Sequence, residues 1–513
     1  MQTTKTPDKE KKAPRQKLAE AVSKFTARLW DRNPVQIPDT VDEKQQYTSP
    51  CQWDIIDKIE PETIVAVVRS ALVKRNCAYS KARMFFLFYN RSEFNKSFVV
   101  QTRNPDSHKL ECWAVKIPGC GTPDVWNAEY AQLLTQEVQT LGLIATYANV
   151  PAPVVIDHSP TLDNTFGFPY IVTTDPHGQH MGLIWFDEPG VPTPPEKEQG
   201  RLTCLRSLAR QMTELDKLQF AQIGAPMFDP HTAPVENCKD IEAERLPVGP
   251  CVAWPYSDSH ETIMLIGPFP SIQALVQAAL AMPNNFDLRD KPGSLPSFPL
   301  TRAQYRDRGT AKFLSILLAH PSFHSSPTET FVLTQPHLDA DNVFISPSGT
   351  VTAILGWENV IAGRRCTAHA SAPSFLEEDW TFAPGWPMFP SWRAPYYRTM
   401  WAAALVEAGN SDAQVASKSH ICDAISRVLW NNREYTSWLL TRVVCEMGLQ
   451  VSVDELVELL GMGCVATENM LREKVDDILR PEMPPEGFLE HVEAQIADAI
   501  VREWMAGFDG LLE

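Results

Sequence analysis

The sequence has no apolar run approaching the roughly 18 residues that a membrane-spanning helix requires. Its start, Met1-Gln2-Thr3-Thr4-Lys5, lacks the apolar stretch of a secretory signal. Cysteine is scattered: eleven residues run from Cys51 to Cys464 with no C-x-x-C and no metal-ligand spacing, which reads as reduced, mostly buried thiols. Positive charge is in deficit, since 46 basic residues against 63 acidic ones give 46 − 63 = −17. That balance argues against a nucleic-acid or anionic-membrane partner. There is no internal repeat and no long low-complexity tract. What is left is the expectation of a cytoplasmic protein whose partner is a small molecule or another protein.

At 513 residues the chain is long enough for two to four domains, or for one large two-lobed unit with a sizeable core. Its most informative stretch is Phe331–Glu358, FVLTQPHLDADNVFISPSGTVTAILGWE. Two alternating runs, Val343–Ile345 and Val351–Leu355, flank Pro347-Ser348-Gly349. The glycine reaches positive φ cheaply, so the spacing predicts a β-hairpin. Just before it, Leu338-Asp339-Ala340-Asp341-Asn342 gathers two carboxylates and an amide at the mouth of a strand. Polar groups placed rigidly over a cleft in this way mark a candidate site.

This stretch resembles the catalytic and metal-binding loops of the aminoglycoside phosphotransferase family, especially its fungal-type branch. The pattern there is L-T-H-P-D-L-x-x-x-N, a hairpin, then I-I-D-W-E. Leu333, Thr334, Pro336, Leu338, Asn342, Trp357 and Glu358 fit it, while Gln335 replaces the His, His337 the catalytic Asp and Gly356 the metal-binding Asp. The resemblance covers about residues 50 to 480. It implies an α+β, protein-kinase-like two-lobed fold, with a small antiparallel-sheet N-lobe and a larger, mainly helical C-lobe, and it implies ATP and Mg²⁺ as cofactors. In such a site one Asp accepts the substrate hydroxyl's proton and a second holds Mg²⁺ between the phosphates. Losing the general base forfeits roughly 10²–10⁴-fold. Glycine offers magnesium no oxygen side chain, so of the usual pair only Asn342 remains.

Residues 1–48 read as an arm, disordered or partly helical, with a charge-rich Lys5–Lys17 and a short helical pattern at Leu18–Trp30. Residues 49–176 are expected to form the nucleotide-binding-like N-lobe. Arg83–Asn90 and Ser97–Gln101 are strand-like, and Asn90–Lys96 between them falls where the family has its Gly-rich phosphate loop. A backbone approaches phosphates where side chains are absent, yet this loop has no glycine and carries Glu93, an acid that repels triphosphate. Cys112–Pro118 reads as a strand whose Lys116 matches the family's phosphate-pairing lysine. Leu133, Leu134, Val138, Leu141 and Ile144 recur at helical spacing, and Glu137 on that helix matches the lysine's glutamate partner. The resemblance places the hinge, which meets adenine, at Asp175–Gly178.

Residues 177–485 are expected to be the helical C-lobe, containing the hairpin stretch 331–358. Leu202, Leu205, Leu208, Met212, Leu215 and Leu218 step at helical spacing and predict a core-facing helix. Further helices are predicted near Ile272–Ala281 and at Thr310–Ala319, and Ser452 with Glu455 makes a capping box. Trp380, Trp386, Phe389, Trp392, Tyr396 and Tyr397 form an aromatic, Pro-rich run that either pins a loop to the lobe or offers a binding face. Residues 486–513, with Phe488, Val492, Ile496, Ile500 and Trp504 in helical step, predict a last helix on the C-lobe.

Two functional expectations follow from the resemblance. In the first, the four losses (the glycine loop, Gln335, His337 and Gly356) leave a pseudokinase-like protein, a weak or inactive phosphotransferase that binds a small molecule or a partner. In the second, the chain is an active ATP-dependent small-molecule kinase with a rewired loop. His337 or Asp339 is then the base, Asn342 and Asp341 hold the metal, and Lys116 with Glu137 serves the phosphates. A changed reaction on the same cleft is a third class, to which no residue points specifically.

Overall fold

The computed structural model describes residues 51–92, 94–187, 191–228, 246–253, 263–281, 300–323, 330–380, 393–430 and 433–512. The expectations for the arm 1–48, for Glu93, for Trp386, Phe389 and Trp392, and for the side chain of Trp504 lie outside what is described.

The first lobe is built from helix α1 (Pro61–Arg75), strands β1 (Met84–Arg91), β2 (Asn95–Arg103) and β3 (Leu110–Pro118), helix α2 (Ala128–Tyr147), and strands β4 (Val155–Ser159) and β5 (Tyr170–Thr174). The strands form one antiparallel sheet in the order β1-β2-β3-β5-β4. Side chains alternate across a strand, so each strand serves two layers. Phe98, Val100, Val115, Ile117 and Val172 face α1 and meet Ile64, Val68, Ala71 and Leu72 in a buried cluster. The opposite face carries Lys116, registered against Ser97 on β2 and Ile171 on β5. Helix α1 has proline at its first turn, where the missing N–H costs nothing. Asn127 caps α2 by accepting from the Tyr130 N–H at 3.0 Å.

The second lobe continues with β6 (Gln179–His180), α3 (Pro195–Thr213), β7 (Gln219–Phe220), α4 (Ile272–Ala281), α5 (Arg302–Leu318), β8 (Phe331–Leu333), β9 (Val343–Ile345), β10 (Val351–Ile354), β11 (Ala362–Gly363), α6 (Ala394–Glu407), α7 (Ser419–Arg427), α8 (Arg433–Glu446), α9 (Val453–Gly461), α10 (Val465–Leu479) and α11 (Phe488–Leu512). The leucine stripe of α3 is the centre of the larger core, with Leu202, Leu205 and Leu208 fully buried against hairpin residues Val343, Ile345 and Ile354 and against α6. A second cluster joins α5 to α7, α8, α9 and α10. The protein is thus an α+β, protein-kinase-like two-lobed chain, with a small antiparallel sheet in one lobe and mainly helices in the other. No helix among the described residues is long and apolar enough to cross a membrane.

Two local expectations are corrected. The helix predicted at Thr310–Ala319 starts eight residues earlier, at Arg302, because Thr301 and Gln304 form a complete capping box. At Ser452 only half of the expected box is made, the hydroxyl accepting from the Glu455 N–H at 3.2 Å. Of the two alternatives for the aromatic run, Trp380 and Tyr397 follow the anchoring one, each being 1 % exposed.

Candidate active site

The hairpin β9–β10 forms as its sequence demands, with Gly349 at φ +81° in the turn. Its first strand also pairs with β6, His180 opposite Phe344. The segment Asp175–Gly178 is fastened to the same hairpin. The Thr352 hydroxyl donates to the His177 carbonyl, and a Cβ on Gly178 would lie 2.5 Å from the Ile345 oxygen, so only glycine fits there. Residues 175–178 are therefore held directly against the hairpin.

Within the loop Gln335 acts as a strut. Its amide oxygen accepts from the His337 N–H at 2.7 Å, and its amide nitrogen donates to the Leu355 carbonyl at 2.7 Å. Asn342 donates to the His337 carbonyl at 2.9 Å, and Leu355 N–H to the Asn342 carbonyl at 2.8 Å. Gly356 closes this knot at φ +75°. A Cβ there would meet His337 Cβ at 2.9 Å and Asn342 Nδ2 at 3.1 Å.

The structure brings together Lys116, Glu137, His337, Asn342, Gly356 and Glu358. Lys116 Nζ donates to both Glu137 oxygens, at 2.8 and 2.9 Å, and to Glu358 Oε2 at 3.1 Å. Burial would lower the lysine's pKa, but the two carboxylates outweigh it and hold the ammonium protonated. Burial likewise works against ionised Glu358, and Lys116, helped by His337, keeps its pKa below the ordinary value. One ammonium between two carboxylates leaves this corner with a net negative charge when both are ionised.

The other nominated carboxylates have surroundings of their own, with His337 near enough to Asp339 to act on its charge. Asp341 Oδ1 lies 2.8 Å from where a Cβ of Gly182 would stand, beside the short helical turn Gly182–Trp185. Asp339 is at the exposed edge of the loop and accepts from the Ala340 N–H at 2.6 Å. Loss of water on its inner side raises its pKa, with Asp341 adding to the effect. Glu358 is the residue that reading the sequence passed over. Its place in the W-E motif was recognised, but a charge reaching back across 242 positions to Lys116 has no local signature.

The tip between β1 and β2 is short and tied down. Ser92 N–H donates to the Asn95 carbonyl at 2.9 Å, Gly119 N–H to the Phe94 carbonyl at 2.7 Å, and buried Lys96 donates to Asp57 at 2.7 Å while lying 4.0 Å over the Tyr89 ring. Both basic residues of this loop are thus paired within the protein, since Arg91 also reaches Asp57, at 3.3 Å.

No family model and no curated protein matches the sequence. Among solved structures the chain is similar to a thermostable mutant of aminoglycoside phosphotransferase APH(4)-Ia in ternary complex with ADP and hygromycin B, at 11% identity and TM-score 0.33, covering 80% of this chain and 98% of that one. It is also similar to macrolide 2′-phosphotransferase type I, at 11% identity and TM-score 0.35 over 73% and 94% of the two chains. A third likeness is to an aminoglycoside phosphotransferase from Alicyclobacillus acidocaldarius, at 11% identity and TM-score 0.29 over 82% and 95%. At such values these likenesses carry no weight for the site, and the fold rests on the strand order and packing above.

Proposed function

We propose that the chain is a phosphotransferase-like protein whose interlobe cleft binds a small molecule or a partner, and that Mg²⁺-dependent phosphoryl transfer in it is weak or absent. The carrying observation is Gly356. Its positive φ and the closeness of His337 and Asn342 leave no room for a carboxylate where the resemblance expects the metal-binding Asp. Glu358 beside Lys116 adds to this, because a triphosphate brought there meets its carboxylate as well as the ammonium.

Glu358 also favours the second reading, an active ATP-dependent small-molecule kinase. If this carboxylate left Lys116 it could hold Mg²⁺ beside Asn342, and Lys116 would be freed for phosphate.

Thermal denaturation with ATP, with and without Mg²⁺, separates the two. A ligand at a hundredfold excess over its Kd stabilises the native state by about 2.7 kcal/mol. On the proposed reading Mg²⁺ adds nothing to whatever shift ATP gives, and the Glu358→Gln variant, freed of the repelling charge, responds to ATP more strongly than the parent. A Mg²⁺-dependent shift that disappears in Glu358→Gln would establish the kinase reading instead.

A further inference from the structure

Three segments meet at a partly buried polar cluster: the turn after α3 (Asp216), the stretch after β11 (Arg365 and His369), and the loop after α6 (Asp412). We propose that Asp216, His369 and Asp412 bind a divalent transition metal of the Zn²⁺ or Co²⁺ class, for which the Arg365 guanidinium stands in as the resident cation.

His369 points to this. It is fully buried, and neither ring nitrogen has a hydrogen-bond partner, a costly state for an imidazole. Its Nε2 is aimed at the carboxylates, 3.7 Å from Asp412 Oδ2 and 3.9 Å from Asp216 Oδ1. These are too long for hydrogen bonds but fit donors that share a cation. Two ligand atoms each about 2.1 Å from one zinc ion can be up to about 4.2 Å apart. All three donor atoms lie within 4.8 Å of one another, so closing the set needs only a small inward movement. One nitrogen donor with two carboxylates selects zinc-like metals over Mg²⁺ or Ca²⁺, which take oxygen alone.

Arg365 Nη2 now lies between the two carboxylates, bonded to Asp216 Oδ1 and 2.8 Å from Asp412 Oδ2, while Nε donates to Asp412 at 2.8 Å. It has other partners to retain when displaced, since Nη1 donates to Thr330 Oγ1 at 3.1 Å and Nη2 to Ser411 Oγ at 3.0 Å. Ser411 itself donates to Asp216 Oδ2 at 3.1 Å and orients that carboxylate from behind. A metal here would staple three segments that are far apart in sequence.

The test is Co²⁺ titration of the full chain, read by visible d–d absorption. The expected result is a saturable band without the intense near-ultraviolet charge transfer that cysteine ligation would give, and its loss in His369→Gln. The decisive variant is Arg365→Gln. A purely structural ion-pair network would be weakened by it and gain no metal, whereas a metal site loses its competing positive charge and should bind Co²⁺ roughly tenfold or more tighter. No band in either the parent or Arg365→Gln, or a band that survives His369→Gln, would overturn the proposal. Folding of each variant is checked by far-ultraviolet circular dichroism, and Asp412→Asn serves as a second ligand variant where His369→Gln does not fold.

Discussion

At Gly356 the backbone sits at φ +75° and a side chain would press on His337 Cβ at 2.9 Å. Left-handed backbone costs an ordinary residue about 1–2 kcal/mol before any clash, and here the neighbours are held by the Gln335 and Asn342 bonds. Gly356→Asp should therefore lose about 1–3 kcal/mol in urea denaturation, and the double variant with His337→Asp should gain no Mg²⁺-dependent turnover. A double variant as stable as the parent and active on ATP would show that the loop can reopen. Asp175 allows a pH test. Burial pushes its carboxyl up to about 6, with His177 opposing, from an ordinary 3.8. A raised folded pKa means that the group's favourable contribution is complete below about pH 4 and is lost as pH climbs through 6. Asp175→Asn should match the parent near pH 4 and exceed it at pH 8 by about 1 kcal/mol, after allowance for solvent on its open side. Equal stabilities at pH 8 would show that the carboxyl is well solvated.

Among the elements, α5 and α9 cross where each presents a glycine to the other's backbone. A Cβ on Gly309 would stand 1.6 Å from the Val457 oxygen, and one on Gly461 1.8 Å from the Tyr305 oxygen. Neither neighbour is a movable side chain tip, so Gly309→Ala must force the helices apart. It should cost at least about 3 kcal/mol despite alanine's better helix propensity, seen as loss of amide-exchange protection in α9 before α3. Unchanged protection would mean that the crossing is looser than drawn. Gly309, one residue before the start that the sequence predicts for this helix, lies inside α5 and serves the crossing. Elements with unambiguous periodicity were legible. The predicted strand Arg83–Asn90 is Met84–Arg91, the helix at Ile272–Ala281 has those bounds, and the α3 stripe lies in the core as its spacing required. Helix α1 was not anticipated, although Ile64, Val68, Ala71 and Leu72 carry its buried face at helical spacing.

Across the whole molecule, local sequence determined the hairpin turn at Gly349, the strand of Lys116 and the helix of Glu137, because turn chemistry and side-chain period act over a few residues. It also located the loop in which Gln335, His337 and Gly356 depart from the resembled pattern. Only the tertiary structure decided that Glu358 takes the free side of Lys116, that Asp341 turns to Gly182, that Gly356 is walled in, and that His369 is enclosed with Asp216 and Asp412. Charge pairing and excluded volume depend on distance in space, and between positions 116 and 358, or 216 and 412, the sequence carries no record of that distance.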